Sequence, residues 1–251
     1  MNTERVENLS HILKRLNTEG ATEEVRGEAL KIVKEITPME LSVAEQNLIE
    51  EGMKPEDLRG LCEIHMEVLK DELEKLKTKI YPGHVVNTMV EEHDVILGFL
   101  TELEELNKAI QGFKDYDSTK EEFAKIITLA DNILDAENHH QREENVLFLE
   151  MEKEGITGPT RIMKMEHEDL RAKKRRLKSL GENIKYINFE AFKADLDETA
   201  KYIIFNLRDH IFKENYILYP SALEAIKDEA RWTNMKEKCD EVGYCGFTPN
   251  F

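Results

Sequence analysis

Apolar residues recur along this chain at steps of three and four, almost from end to end. Val6, Leu9, Ile12, Leu13 and Leu16 form one stripe, and Val25, Ala29, Ile32 and Val33 a second. Such spacing predicts amphipathic helices. A third helix is expected after "TPME", with Thr37 as N-cap, Pro38 at the first helical position and Glu40 completing a capping box. Gly52 ends it, and "KPEDLRGLCEIHMEVLKDELEKLKTK" reads as a fourth. The motif "IYPGH" at 80–84 breaks the periodicity and sets a domain boundary, leaving a small helical domain over 1–79.

Four longer helices follow. The first is expected from about Val85 to Phe113, and the second from the capping signal "DSTKEEF" (115–123) to about Glu154. "GITGPT" (155–160) separates the third, which ends near Leu180; the fourth runs from about Phe189 to Ile226. Short connections between long amphipathic helices imply antiparallel neighbours. The expected fold is therefore all-α, with an up-down four-helix bundle over 84–228 and an apparently irregular tail over 229–251.

Composition agrees, because 12 Gly and 6 Pro in 251 residues leave room for few turns. The formal net charge of −17 argues against nucleic acid or an anionic membrane as partner and favours cations. Three cysteines do not make a disulfide framework. The N-terminus, "MNTERVENLSHILKRL", has no apolar core of the secretory kind. No apolar run approaches the ~18 residues of a membrane span. A reducing cytoplasm is the expected location.

The chemistry lies in "ENHHQREENVLF" (137–148) and its relatives on the other three long helices. The first carries "EEHDVIL" with His93, and the third "MEHEDLR" with His167. The second and fourth carry a histidine followed four residues later by glutamate, the fourth as His210 and Glu214 in "HIFKENYILYP". His93 and His167 are 74 residues apart, and His139 and His210 are 71 apart, as in a duplicated two-helix unit. Residues four apart share a helix face, so each His–Glu pair can reach one metal. Four imidazoles and two carboxylates then converge on the bundle interior, a donor set that suits Fe, Mn or Zn. Two carboxylates serving two metals are natural bridges. Coordination remains incomplete, with room for a bridging oxygen and an exogenous ligand.

On the second helix the ligand pair is open. Ile126, Ala130, Ile133 and Met151 put His140 and Glu144 on the apolar face. The internal repeat instead aligns His139 with His210, Glu143 with Glu214 and "VLF" with "ILY". The repeat matches more positions, so His139 and Glu143 are preferred. His140 and Glu144 stay as outer partners or alternative ligands. Adjacent residues point about 100° apart, so only one of the two histidines is expected to reach the centre comfortably.

The remaining candidates carry less. His11 reads as a surface residue, and His84, after "PG", as a turn or cap residue ahead of a ligand role. Cys62 and His65 in "CEIH" read as a thiol beside a polar histidine, with a second metal or redox site as the alternative. Cys239 and Cys245 are either a reversible disulfide or free thiols, and spacing does not choose. Met151, Met163 and Met165 read as core filler.

These motifs resemble the hemerythrin-like HHE cation-binding family over roughly 84–228. The resemblance implies a non-haem centre of two iron ions, oxo- or hydroxo-bridged, with His93, His139, Glu143, His167, His210 and Glu214 as ligands. Oxygen carriers of that family have another histidine where this chain has Arg171, and a final Asp five residues after its His where this chain has Glu214 at four. The site looks more like the four-His, two-Glu group that includes di-iron proteins of iron–sulfur cluster repair and nitric oxide stress. The stretch 40–73 resembles the DUF438 domain, which often accompanies such bundles, and "GYCGFTP" looks typical of the same arrangement.

The expected function is binding or reduction of a small ligand (O2, NO or peroxide) in oxidative or nitrosative stress, with a redox partner protein where turnover occurs. The alternatives are an O2, NO or iron sensor without turnover, and an iron donor for cluster repair. No separate protein nucleophile is apparent. Which ligand is bound, which metal is held and how many chains assemble are open at this point.

Overall fold

A computed structural model of the chain describes residues 3–19, 22–33, 48, 51–52 and 80–249. The described elements are helical, with no strand among them. The third and fourth N-terminal helices, the Thr37 cap, Cys62 and His65 lie outside the described residues. The chain divides into two compact units, Met1–Ile80 with Phe212–Ala225, and Tyr81–Ile211 with Ile226–Phe251.

In the first unit, α1 (Thr3–Glu19) pairs with α2 (Glu23–Val33). Val6, Leu9 and Ile12 of α1 and Val25 and Ala29 of α2 are buried, as the apolar stripes predict. Arg15 joins Glu19 on its own helix and Glu28 on α2. His11 is exposed.

The second unit holds the bundle helices as far as Ile211, and Phe212–Ala225 of the fourth is grouped with the first unit. His84 closes the break after α1 and α2: its Nδ1 accepts from Val86 N at 3.1 Å and caps α3 (Val85–Gln111). Its ring lies 5.2 Å from Tyr81 and 4.6 Å from Trp232. Burial pushes its pKa down to about 4, so it is a neutral, structural cap. Asp117 binds the amide and hydroxyl of Thr119 and shapes the next turn, while α4 (Glu121–Asp135) starts later, without a side-chain cap.

The second long helix is not one uniform helix. After a turn at Ala136 it continues as α5 (Glu137–Arg142), widens into a π-turn (Glu143–Leu147) and resumes as α6 (Phe148–Lys153). The third long helix is α7 (Gly158–Asn183), with Pro159 in its first turn and a short 3₁₀ turn, Ile184–Tyr186, after it. The fourth is α8 (Phe189–Lys213), which passes into a second π-turn (Glu214–Leu218) and then α9 (Tyr219–Ala225). In each π-turn the closing amide reaches back five residues, from Phe148 to Glu143 O and from Tyr219 to Glu214 O. Both His–Glu motifs therefore end in the same irregularity, as the repeat implies.

The bundle core takes Leu100 and Leu103 from α3, Ile126 and Ile133 from α4, Leu170 and Leu177 from α7, and Leu196 and Ile203 from α8. Polar ties run round it. Asn107 donates to Asp197 between α3 and α8, and Arg176 pairs with Asp195 between α7 and α8. Lys178 pairs with Asp131 between α7 and α4.

Two expectations are corrected. The tail is not irregular at its start: Asp228 caps α10 (Glu229–Val242), which carries buried Trp232, Met235 and Cys239. Glu at the first turn and a Gly243 at φ 95° give it the start and stop signals of an ordinary helix. Met165 is 65% exposed and fills no core, unlike Met151 and Met163. It sits two positions from His167, on the opposite face of α7.

At Gly181 α7 comes close to α4: an added Cβ would stand 3.1 Å from Ile127 Cγ1 and 3.3 Å from Ile126 Cγ2. Gly181→Val is therefore expected to lower stability by about 1–3 kcal/mol through overpacking, read as an earlier midpoint in denaturant unfolding. An unchanged midpoint would contradict the close approach.

Candidate metal centre

All four predicted histidines of the bundle are buried: His93, His139, His167 and His210 are each 1% exposed or less. They meet in two pairs. His93 Nε2 and His139 Nε2 are 3.1 Å apart, and His167 Nε2 and His210 Nε2 are 2.9 Å apart. Between the pairs lies buried Glu143, whose Oε2 is 3.7 Å from His139 Nε2 and 3.4 Å from His167 Nε2. Glu214, one turn past His210 along the chain, is likewise buried and opens the second π-turn.

The outer ring nitrogens explain why the inner ones face each other. His139 Nδ1 meets Glu92 Oε2 at 2.7 Å, His167 Nδ1 meets Glu144 Oε1 at 2.6 Å, and His210 Nδ1 meets Glu166 Oε2 at 2.7 Å. An ionised carboxylate only accepts, so each of these Nδ1 atoms carries a proton, and in the neutral ring the lone pair sits on Nε2. Neutral His167 and His210 thus turn two lone pairs at one another across 2.9 Å. Two acceptors at that distance repel unless a proton or a metal cation lies between or beside them. The donor set therefore fits a metal ion, and the carboxylate–imidazole pairing is the arrangement that orients histidine ligands in metal sites.

The acids themselves are held. Burial pushes Glu92 up, but its hydrogen bond to His139, the charge of Arg142 and the Thr248 hydroxyl outweigh it and bring its pKa down to about 2. Glu144 is also lowered: burial opposes, while His167 and Arg171 prevail. Arg171 occupies the position of the extra histidine of oxygen carriers. It has another task, its guanidinium bonding Glu137 and Glu144, each at 2.9 Å. Glu144 is thereby fixed against His167.

His139 and His140 are both buried, so burial alone does not decide which of them reaches the centre. The helix is not regular there, being broken at Ala136 and widened from Glu143. Their roles still differ. His139 faces His93, whereas His140 stacks on His167, with centroids 4.0 Å apart and planes 9° from parallel. Stacked rings keep their lone pairs in two parallel planes about 4.0 Å apart, a poor arrangement for both to bind one ion head-on. His140 donor atoms nonetheless lie within 4.8 Å of those of His167 and His210. Its pKa is held well below the usual imidazole range, by burial first and then by the charges of Lys174 and the neighbouring histidines. Glu143 is fully buried and Glu144 reaches only an outer nitrogen, so the geometry favours the pair chosen from the repeat. Cys239 and Cys245 are buried thiols, pushed by burial up to about 11 and about 12.

The sequence reading missed the task of Glu92 and Glu166. A signal was present: each immediately precedes the lone histidine of its helix, in "EEH" and "MEH", and each holds the histidine of the next helix. It also missed buried Arg142, which donates to both oxygens of Glu92 at 2.6 Å, and buried Lys174, two turns beyond His167.

The two histidines give a ranking test. His139→Ala and Glu143→Ala should each lose bound metal and the near-ultraviolet charge-transfer bands of an iron-loaded protein. His140→Ala should keep the bands, and Glu144→Ala should weaken affinity by about 10–100-fold without abolishing binding. The reverse order would move the ligand pair by one residue.

Comparison with known families agrees with this geometry. A family of unknown function, DUF438, matches residues 9–75, and the hemerythrin HHE cation binding domain matches residues 84–222. Comparison with curated proteins finds no match. No described helix is long and apolar enough to cross a membrane. With more than half of its length matched, and with buried histidines and glutamates gathered where the HHE motifs fall, the chain belongs to the hemerythrin HHE cation-binding family.

Proposed function

We propose that the bundle holds two iron ions and that the protein binds or reduces a small ligand (O2, NO or peroxide) under oxidative or nitrosative stress. One observation carries the dinuclear reading: two imidazole pairs, at 3.1 and 2.9 Å, flank one buried carboxylate that approaches both. In this reading His93 and His139 would hold one ion, His167 and His210 the other, and Glu143 and Glu214 would serve both. Iron held there would supply redox chemistry toward a diatomic or peroxide ligand. The residues themselves orient the donors, through Glu92, Glu144 and Glu166, and keep water out by burial. Repeated reduction needs electrons that the donor side chains do not supply, so a partner protein would deliver them. A cytoplasmic setting, where iron stays reduced and available, suits such a centre.

A second reading has its own observation. The Glu144 and Glu166 side chains retain 21% and 31% of their exposure, so the acids behind His167 and His210 reach solvent although the histidines do not. That favours iron donation to cluster proteins over a sealed sensor.

Metal analysis after anaerobic reconstitution should give close to two equivalents per chain, and one or fewer would defeat the dinuclear reading. His167→Ala should lose one equivalent preferentially, whereas Glu214→Ala should weaken both. Consumption of NO or peroxide by the loaded protein supports turnover. Iron transfer to an apo cluster protein without such consumption supports donation.

A further inference from the structure

The two imidazole pairs are supported unequally. On the His167–His210 side the outer carboxylates are part-exposed. On the other side Glu92 is fully buried and accepts from His139, from Arg142 and from the Thr248 hydroxyl. Thr248 lies outside the matched family region, which ends at 222.

The segment around Thr248 is fastened along the helices that carry this side. Asn138 Nδ2 donates to Tyr244 O at 2.9 Å, and the Arg142 guanidinium stands 4.6 Å over the Tyr244 ring. Gly246 N donates to Asp135 at the end of α4. Phe247 meets Phe99 of α3 edge-on at 5.2 Å. The segment therefore spans α3 and α5, which bear His93 and His139.

We propose that residues 244–248 are a positioning device for one metal position. Thr248 and Arg142 fix the Glu92 carboxylate, and Glu92 fixes the His139 ring. Thr248 and Arg142 are positioning residues, since neither touches the centre. The outcome is a built-in inequality: the His93–His139 position retains its metal, and the His167–His210 position exchanges first. This rests on the dinuclear reading above.

The test is chelator extraction from the full-length protein loaded with Co(II), followed by the visible absorption of the bound ion. The wild type should take up two equivalents and release them in two phases, one equivalent each. Thr248→Val should accelerate the slow phase by roughly tenfold, the low end for changes outside the ligand shell, and leave the fast phase and the helical circular dichroism as they are. Thr248→Ser, which keeps the hydroxyl, should restore the slow phase, an outcome that a loss of packing alone does not give. Truncation after Gly243 should act as Thr248→Val does, more strongly. A single release phase from a wild type holding two equivalents overturns this inference alone, as does equal acceleration of both phases or failure of serine to restore. Uptake of fewer than two equivalents overturns both readings.

Discussion

An imidazole has two nitrogens, and this fold depends on what is done with the outer one. A carboxylate placed at Nδ1 fixes the tautomer, the ring plane and the direction of the Nε2 lone pair at once. Glu92, Glu144 and Glu166 do this for His139, His167 and His210. Without them one inward nitrogen of each pair could carry a proton and donate to the other, and the bundle interior would be a hydrogen-bonded core. With them the interior is left rich in lone pairs and carboxylate charge. Burial of such groups is costly unless cations compensate them. The rest of the bundle, its apolar layer from Leu100 to Ile203 included, keeps those groups in register.

The supporting acids also join the two halves of the repeat. Glu92 and Glu166 each act inside their own two-helix unit, from the first helix to the second. Glu144 acts across, from the first unit to His167 of the second, and Arg171 of the second returns to clasp it. The second half does not orient its histidines alone, since His167 relies on Glu144 of the first. Orientation of His167 and pairing of the repeats are thus linked.

Much of this was legible in the sequence. The helical elements of the bundle followed from apolar spacing, and the lone histidines and His–Glu pairs stood out by their alternation. On the second helix, helical phase and the internal repeat point to different pairs. Phase assumes one continuous face from Ile126 to Met151, yet the turn at Ala136 and the π-turn at 143–147 lie between them. The repeat needs no such assumption, because both copies carry the same π-turn. Glu92, Arg142 and Lys174 escaped for a different reason. Charged side chains are expected at the surface, and their burial depends on partners distant in sequence, such as Thr248, 156 residues beyond Glu92. The helix in the tail gives a weak signal. Its buried face is only Trp232, Met235 and Cys239, too sparse a stripe to stand out.

Each π-turn holds one residue more than a regular helix would use over the same rise. Beyond it, Phe148 and Met151 are buried while Leu149 is 46% exposed. Because the wide turn absorbs that residue, the helix beyond it keeps its facing, and closing the turn by deleting one residue within 143–147 would leave Phe148 and Met151 directed inward. A deletion elsewhere in either helix, where no wide turn takes it up, would instead rotate everything downstream by about 100°. Length in these two helices is thus an angular coordinate everywhere except at the π-turns.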